Sequence, residues 1–302
     1  MLINKKFTSI INMPLLSGCV RALIMSFALF CSLYSAAQPI TYSWPATMLN
    51  DPRSHYPIAL LHLALEKSGG HYEPKPSKRD QAQWRTLRQL ESGKLMDVVW
   101  TMTSLEREQN LLPIRIPIDR GLLGWRLLLI KQQDAGKFAD VSAPEQLQPL
   151  RAVQGHDWPD FDILQYNQFK VIPSTHYRGM FNMLQLGRVD YFPRGLTEIQ
   201  SELASRDEFQ LMIAPGLVIY YPAPLYFFVH PTQTQLAQDI EHGLRIAMRD
   251  GSMKQLFMQH FADDIAQAQL QQRKVIRLQN PYLTDMTPLN DSSLWFDPEL
   301  GY

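Results

Sequence analysis

The feature that most constrains this chain is a short pattern that occurs twice. Leu90-Glu91-Ser92-Gly93-Lys94-Leu95-Met96-Asp97-Val98-Val99, which runs on into Trp100, is matched, with one residue deleted, by Leu184-Gln185-Leu186-Gly187-Arg188-Val189-Asp190-Tyr191-Phe192. Each copy reads as a helix end, a glycine that can take the left-handed C-terminal cap, and a basic residue suited to the negative end of the helix. An aspartate then leads into a buried strand. Gly93 and Gly187 lie 94 residues apart. That distance suits two lobes of similar construction.

The elements around the first copy alternate. Ile40 to Trp44 has strand composition and stops at Pro45. Residues 56–67 carry Ile58, Leu61 and Leu65 at helical spacing before Ser68-Gly69-Gly70, and 72–76 reads as a short strand. Residues 81–92 read as a helix and 96–102 as a buried strand. This β-α-β-α-β order is the signature of an α/β layer. Further on, strands are expected at 124–130, 151–154, 170–172, 189–192, 211–213, 217–220 and 225–229. Helices are expected at 160–166, 178–186, 197–204, 234–249 and 252–261, with a short one opened by Ser142 as cap and Glu145 three residues on. From Gln271 the periodicity fades, and a surface tail is expected.

Composition removes several function classes. Lys+Arg and Asp+Glu both number 29 and no basic stripe stands out, which argues against a nucleic-acid partner. At 45% hydrophobic residues the chain can fill one large or two modest cores. The N-terminus reads as an export signal. Lys5, Lys6 and Arg21 are the only charges before Asp51, and Ala22 to Leu33 is an apolar run too short to span a membrane comfortably. Ser35-Ala36-Ala37 supplies a cleavage site before Gln38, so residues 1–37 are expected to be removed. Leu16-Ser17-Gly18-Cys19 has the form of a lipoprotein box, but Pro14 interrupts the stretch before it and the better apolar core follows it. Cys19 and Cys31 are the only cysteines, so the mature chain would have neither disulfide nor thiol chemistry.

Three stretches together resemble the periplasmic solute-binding proteins of the amino-acid-binding kind. They are Gly93 to Val99 followed by Thr103-Ser104-Leu105-Glu106-Arg107; Gly187-Arg188-Val189-Asp190; and the pair of helical patterns from Leu236 to Phe261. The resemblance implies a two-lobed type II periplasmic-binding fold, an α/β architecture in which each lobe is a mixed sheet flanked by helices and the ligand lies in the cleft between them. It places lobe one at 38–130 plus 223–270 and lobe two at 131–222, with 271–302 packed on lobe one. The chain departs from the family's pattern in the spacing between Asp97 and Arg107, in Trp100-Thr101-Met102 before the threonine, and in Trp44-Pro45 after the first strand. The fold is therefore better supported than an amino acid as ligand.

Ligands of open α/β sheets sit beyond the carboxyl ends of the strands. There Arg107 is expected to bind a carboxylate through paired hydrogen bonds, with Thr103 and Ser104 adding donors beside it. Arg194, after the strand 189–192, is expected at the equivalent edge of lobe two, with a hinge-side salt bridge as the alternative. Asp157 suits an ammonium group, Trp44 and Trp158 suit pocket walls, and Tyr177 is a further contact. His156 reads as a loop residue, and Asp160 and Asp162 as solvated.

No metal-ligand spacing of histidines, nucleophile elbow or glycine-rich phosphate loop is present, so no cofactor, metal or catalytic residue is expected. The reading is a monomeric periplasmic protein, not an enzyme, that closes on a small polar solute bearing a carboxylate. Its partner would be a membrane transporter (an ABC transporter) or a membrane sensor. Two alternatives stay open: an enzyme of cyclohexadienyl-dehydratase type on the same fold, and an orphan sensor or scaffold module without a transporter.

Overall fold

The structure, a computed structural model, describes residues 37–42, 52–69, 72–77 and 83–301. The segment expected to be an export signal, apart from Ala37, both cysteines and Trp44 lie outside the described residues. No helix among the described residues is long and apolar enough to cross a membrane.

The elements run β1 (Gln38–Tyr42), α1 (His55–Lys67), β2 (Tyr72–Pro76), α2 (Gln83–Glu91), β3 (Val98–Met102), α3 (Leu105–Asn110) and β4 (Leu112–Ile114). They continue with β5 (Trp125–Lys131), α4 (Pro144–Leu147), β6 (Arg151–Gly155), α5 (Pro159–Tyr166), β7 (Lys170–Ser174), α6 (Tyr177–Gln185), β8 (Tyr191–Gly195), α7 (Leu196–Ala204), β9 (Leu211–Ile213) and β10 (Leu217–Tyr220). The last are β11 (Leu225–Val229), α8 (Thr234–Arg249), α9 (Ser252–Ala268) and β12 (Lys274–Arg277). Periodicity did not reveal α3, β4 or β12, which are too short to show a period. The cap expected at Ser142 is made differently: the Gln146 side-chain oxygen accepts from the Ser142 and Ala143 N–H groups.

Two sheets form. The first has the order β2-β1-β3-β11-β4, and the second has β12-β10-β5-β8-β6-β7 with β9 also on β5. The repeated pattern has one structural meaning in both. Gly93 (φ 65) and Gly187 (φ 68) end their helices in the left-handed region. The aspartate that follows then docks the new strand on a parallel neighbour. The Asp97 N–H donates to the Thr41 carbonyl, and its carboxylate accepts from the Thr41 N–H at 2.7 Å. Asp190 makes the same pair of bonds with Arg151. Strand β3 thereby lies parallel to β1, and β8 parallel to β6.

Strand β5 belongs to the second sheet, pairing with β8, β9 and β10. The first crossover thus lies before Trp125, not after Ile130 where the sequence division drew it. An apolar run announces a strand but not its partner. Residues 221–224 connect β10 of the second sheet to β11 of the first. The two crossovers touch: a Cβ at Gly124 would lie 2.2 Å from the Tyr221 carbonyl oxygen, so glycine is required there.

The tail also departs from expectation. Strand β12 pairs parallel with β10 in the second sheet instead of covering lobe one. The chain then turns back toward the first lobe. The Tyr282 carbonyl accepts from the Leu105 N–H at the start of α3, and the Thr284 hydroxyl donates to Glu108. Farther on, the Arg120 guanidinium donates to the Ser293 and Trp295 carbonyls, and the Phe296 N–H donates to the Arg120 carbonyl. The tail therefore braces the first crossover, where Arg120 (φ 54) and Gly121 (φ 75) are both left-handed.

Candidate functional site

A cleft of about 200 Å³ lies between the two sheets. It is smaller than the roughly 300–1,000 Å³ of sites for drug-sized molecules and suits a solute of amino-acid size. Residues from both lobes line it, and arginines are prominent among them: Arg53, Arg107, Arg126 and Arg194.

Arg107 is placed by helix α3. The Ser104 side chain caps that helix by accepting from the Arg107 N–H, which turns Arg107 back under the end of β3. There its guanidinium donates to the Thr101 hydroxyl (2.7 Å), the Met102 carbonyl (2.6 Å), Gln83 Oε1 (3.0 Å) and the Asp157 carbonyl (3.2 Å). All four acceptors are neutral, and no carboxylate among the described residues lies within ion-pair distance. Burial lowers the pKa of the group to about 10, against the attraction of Asp157, Asp160 and Glu106. Arg107 is still charged at neutral pH, so the cleft holds a desolvated cation whose hydrogen bonds are satisfied but whose charge is not.

The second lobe's charges are organised differently. Arg194 stands inside β8, not after the strand as expected, and only 2% of it is exposed. Its Nε and Nη2 donate to the two oxygens of Glu202 at 2.7 and 2.6 Å, and Glu198 Oε1 lies 2.9 Å away. Burial works against the charge of Arg194, but Glu198 and Glu202 hold it firmly ionised. Arg126 of β5 pairs with Asp160 and approaches Glu198 at 3.6 Å. Asp160 also accepts from the Tyr221 hydroxyl and is 4% exposed, so it is buried and paired rather than solvated as expected. Burial raises the Glu198 pKa, but Arg194, Arg126, Arg53 and the Gly195 N–H outweigh it and bring the group from 4.5 to about 2.

The sign of that shift gives a pH expectation. A carboxylate with a lowered folded-state pKa stabilises the fold above its unfolded-state value and loses that contribution as protons are added. The melting temperature is therefore expected to fall as pH drops from 4.5 toward 2. Glu198→Gln should flatten that part of the curve. An unchanged pH profile in the variant would show that Glu198 does not carry it.

Of the other expected contacts, Asp157, Trp158 and Tyr177 all line the cleft, as does His156. The Asp157 carboxylate lies 3.7 Å from His156 Nδ1. Trp158 packs against Gly155, where a Cβ would lie 2.6 Å from its ring, and it covers the Arg194 guanidinium at 5.0 Å. Tyr177 opens α6 and donates its hydroxyl to Glu202, and its phenol is shifted upward by burial and by that carboxylate. Thr103 and Ser104 do not line the cleft. The Thr103 hydroxyl donates to Glu108, and Ser104 is spent on the helix cap. Thr101, two residues earlier, holds the arginine instead. Sequence reasoning also missed Arg53, Gln83, Trp84, Trp100, Arg126 and Glu198. The four-residue spacing of Glu198 and Glu202 was the available signal for the acidic side of the network, since residues four apart share a helix face.

No protein-family model and no curated protein matches the chain. Solved structures do. A putative ABC-transporter binding component from Wolinella succinogenes, complexed with lysine, superposes with a TM-score of 0.58 at 15% identity, covering 74% of this chain and 95% of that one. The chain has the type II periplasmic-binding fold. A probable amino-acid ABC-transporter extracellular-binding protein from Bacillus subtilis gives a TM-score of 0.57 at 18% identity, over 76% of this chain and 99% of that one. A histidine kinase sensor domain with similarity to periplasmic binding proteins gives 0.56 at 13% identity, over 74% and 96%. In the type II fold the segments around 115–124 and 221–224 are the crossovers between lobes, and Arg107 stands on one jaw of the cleft facing Asp157 on the other.

Proposed function

We propose that this chain is an exported solute-binding protein whose lobes close around one solute of amino-acid size carrying a carboxylate. The observation that carries this reading is Arg107: a buried cation in the cleft of a binding fold, surrounded by neutral acceptors only. Burying a charge without a counter-charge is costly, and a ligand carboxylate supplies one with directed, charge-assisted hydrogen bonds. The carboxylate would take the place of the Gln83 and Asp157 oxygens on Nη2, and Asp157 would meet an ammonium group. Trp84, Trp100, Trp158 and Tyr177 exclude water from the closed cleft. Closure occurs by bending at the two crossovers. The solute leaves unchanged, passed to a membrane transporter or reported to a membrane sensor. Both roles are represented among proteins of similar structure.

The test is calorimetry of the mature protein against the common amino acids. At least one should bind, and Arg107→Ala should weaken it by about 100-fold, the cost of leaving a charged group without its hydrogen-bonded partner. Equal binding by the Ala variant would remove Arg107 from the site. Conversion of the bound solute into a product would replace this reading by an enzymatic one.

A further inference from the structure

Arg53 comes from the turn Pro52–Ser54 ahead of α1, in the first lobe, yet it reaches carboxylates of the second. Its Nη1 donates to Glu202 Oε1 at 3.1 Å and lies 3.8 Å from Glu198 Oε1. Its guanidinium carbon stands 4.8 Å over the ring of Tyr177. An aromatic face with carboxylates beside it is the environment that recognises a guanidinium or ammonium group on a ligand. Here the chain supplies that cation itself.

We propose that Arg53 is a specificity-determining residue: it fills the cation-binding part of the cleft from within, so that the cleft rejects basic solutes and accepts one with an uncharged side chain. This rests on the reading of the cleft as an amino-acid-sized site. The charge inventory supports it. Among the described residues that line the cleft, Glu198 and Asp160 are each paired with arginine, as is Glu202 behind them. Asp157 is the one lining carboxylate with no arginine in ion-pair distance. A zwitterion with an uncharged side chain leaves Arg107 and Asp157 both matched. A basic side chain adds a positive charge for which no unengaged carboxylate is left, and it must displace Arg53 to find one. Displacement also breaks a contact between the lobes, so a basic solute works against closure.

The test compares wild type, Arg53→Ala and Arg53→Met by calorimetry with glutamine, arginine and agmatine, which carries a guanidinium but no carboxylate. Arg53→Met keeps an unbranched apolar stem over Tyr177 and serves if the alanine variant does not fold. Arginine and agmatine are expected to bind the variants at least 10-fold more tightly than wild type, while glutamine, which loses the contact between the lobes and has no use for the freed carboxylates, gains no affinity. The proposal is overturned if wild type binds arginine as tightly as glutamine, or if neither variant gains affinity for arginine or agmatine. The two readings fail separately. Glutamine binding that depends on Arg107, with no gain for agmatine, sinks only the role of Arg53. A gain for agmatine, with no amino acid bound by wild type, supports Arg53 and sinks the amino-acid-sized ligand.

Discussion

Glu202→Ala is expected to cost about 3–5 kcal/mol of folding stability, the range for removing one partner of a buried ion pair. Glu202 is 3% exposed and accepts from Arg194 twice, from Arg53 and from the Tyr177 hydroxyl. Without it Arg194 keeps only Glu198, and two guanidiniums and a phenol converge on a hole that water cannot fill freely. The loss exceeds that of a surface pair, worth about 0–1 kcal/mol, because none of these groups regains its hydration in the variant. For a chain of this size each kcal/mol moves the melting temperature by roughly 2–4 °C. Calorimetric melting should therefore show a drop of roughly 6–20 °C. Glu202→Gln, which keeps the shape and loses the charge, should fall between. A melting temperature within 2 °C or so of wild type for the alanine variant would mean that the network reorganises around the gap.

Gly243→Ala should be as damaging, and here the sign is informative. In an exposed helix interior the change from glycine to alanine stabilises by up to about 1 kcal/mol. Gly243 lies in α8, where that helix crosses α1, and an added Cβ would lie 1.8 Å from the Ala64 carbonyl oxygen and 2.6 Å from its carbon. These are backbone atoms, so no rotamer change relieves the clash and the helices must separate. Leu60, Leu61, Leu65, Ile240 and Leu244 are buried in the same core and would lose packing with the shift. The expected cost is about 3 kcal/mol or more, read from the urea midpoint with the slope unchanged. A variant as stable as wild type would show that α1 and α8 do not approach so closely.

Much of the architecture was legible because it is written in local patterns. Helix α8 and strands β9, β10 and β11 occupy the residues that periodicity and turn signals assign to them. The Gly-basic-Asp repeat marked two comparable strand edges, since the aspartate performs the same bonding to Thr41 and to Arg151. Arg107, Asp157, Trp158 and Tyr177, singled out from the connections between elements, line the cleft. What could not be read was pairing over long distance. Nothing near Leu217 says that Lys274 will lie beside it, and nothing in Trp125 to Lys131 distinguishes one sheet from the other. The ionic network failed for the same reason. Arg53 and Glu202 stand 149 residues apart and look like ordinary surface charges until the lobes meet. Asp160 was misread because a polar neighbourhood in sequence says nothing of Arg126 and Tyr221 arriving from other elements. Thr103 was a near miss, because the identity of the residue that supports the arginine depends on how α3 turns after Met102.

The pairing of β12 with β10 also bears on how the chain folds as it is made. Strand β10 is Leu217-Val218-Ile219-Tyr220, an apolar segment of strong strand formers whose outer edge is covered only by residues 274–277. Until those residues have emerged, that edge is an open template for pairing with another chain. A product truncated before Lys274 would carry a permanent one, and its hazard would be aggregation before any loss of ligand. Strand β12 is in this sense a cover for the edge of β10.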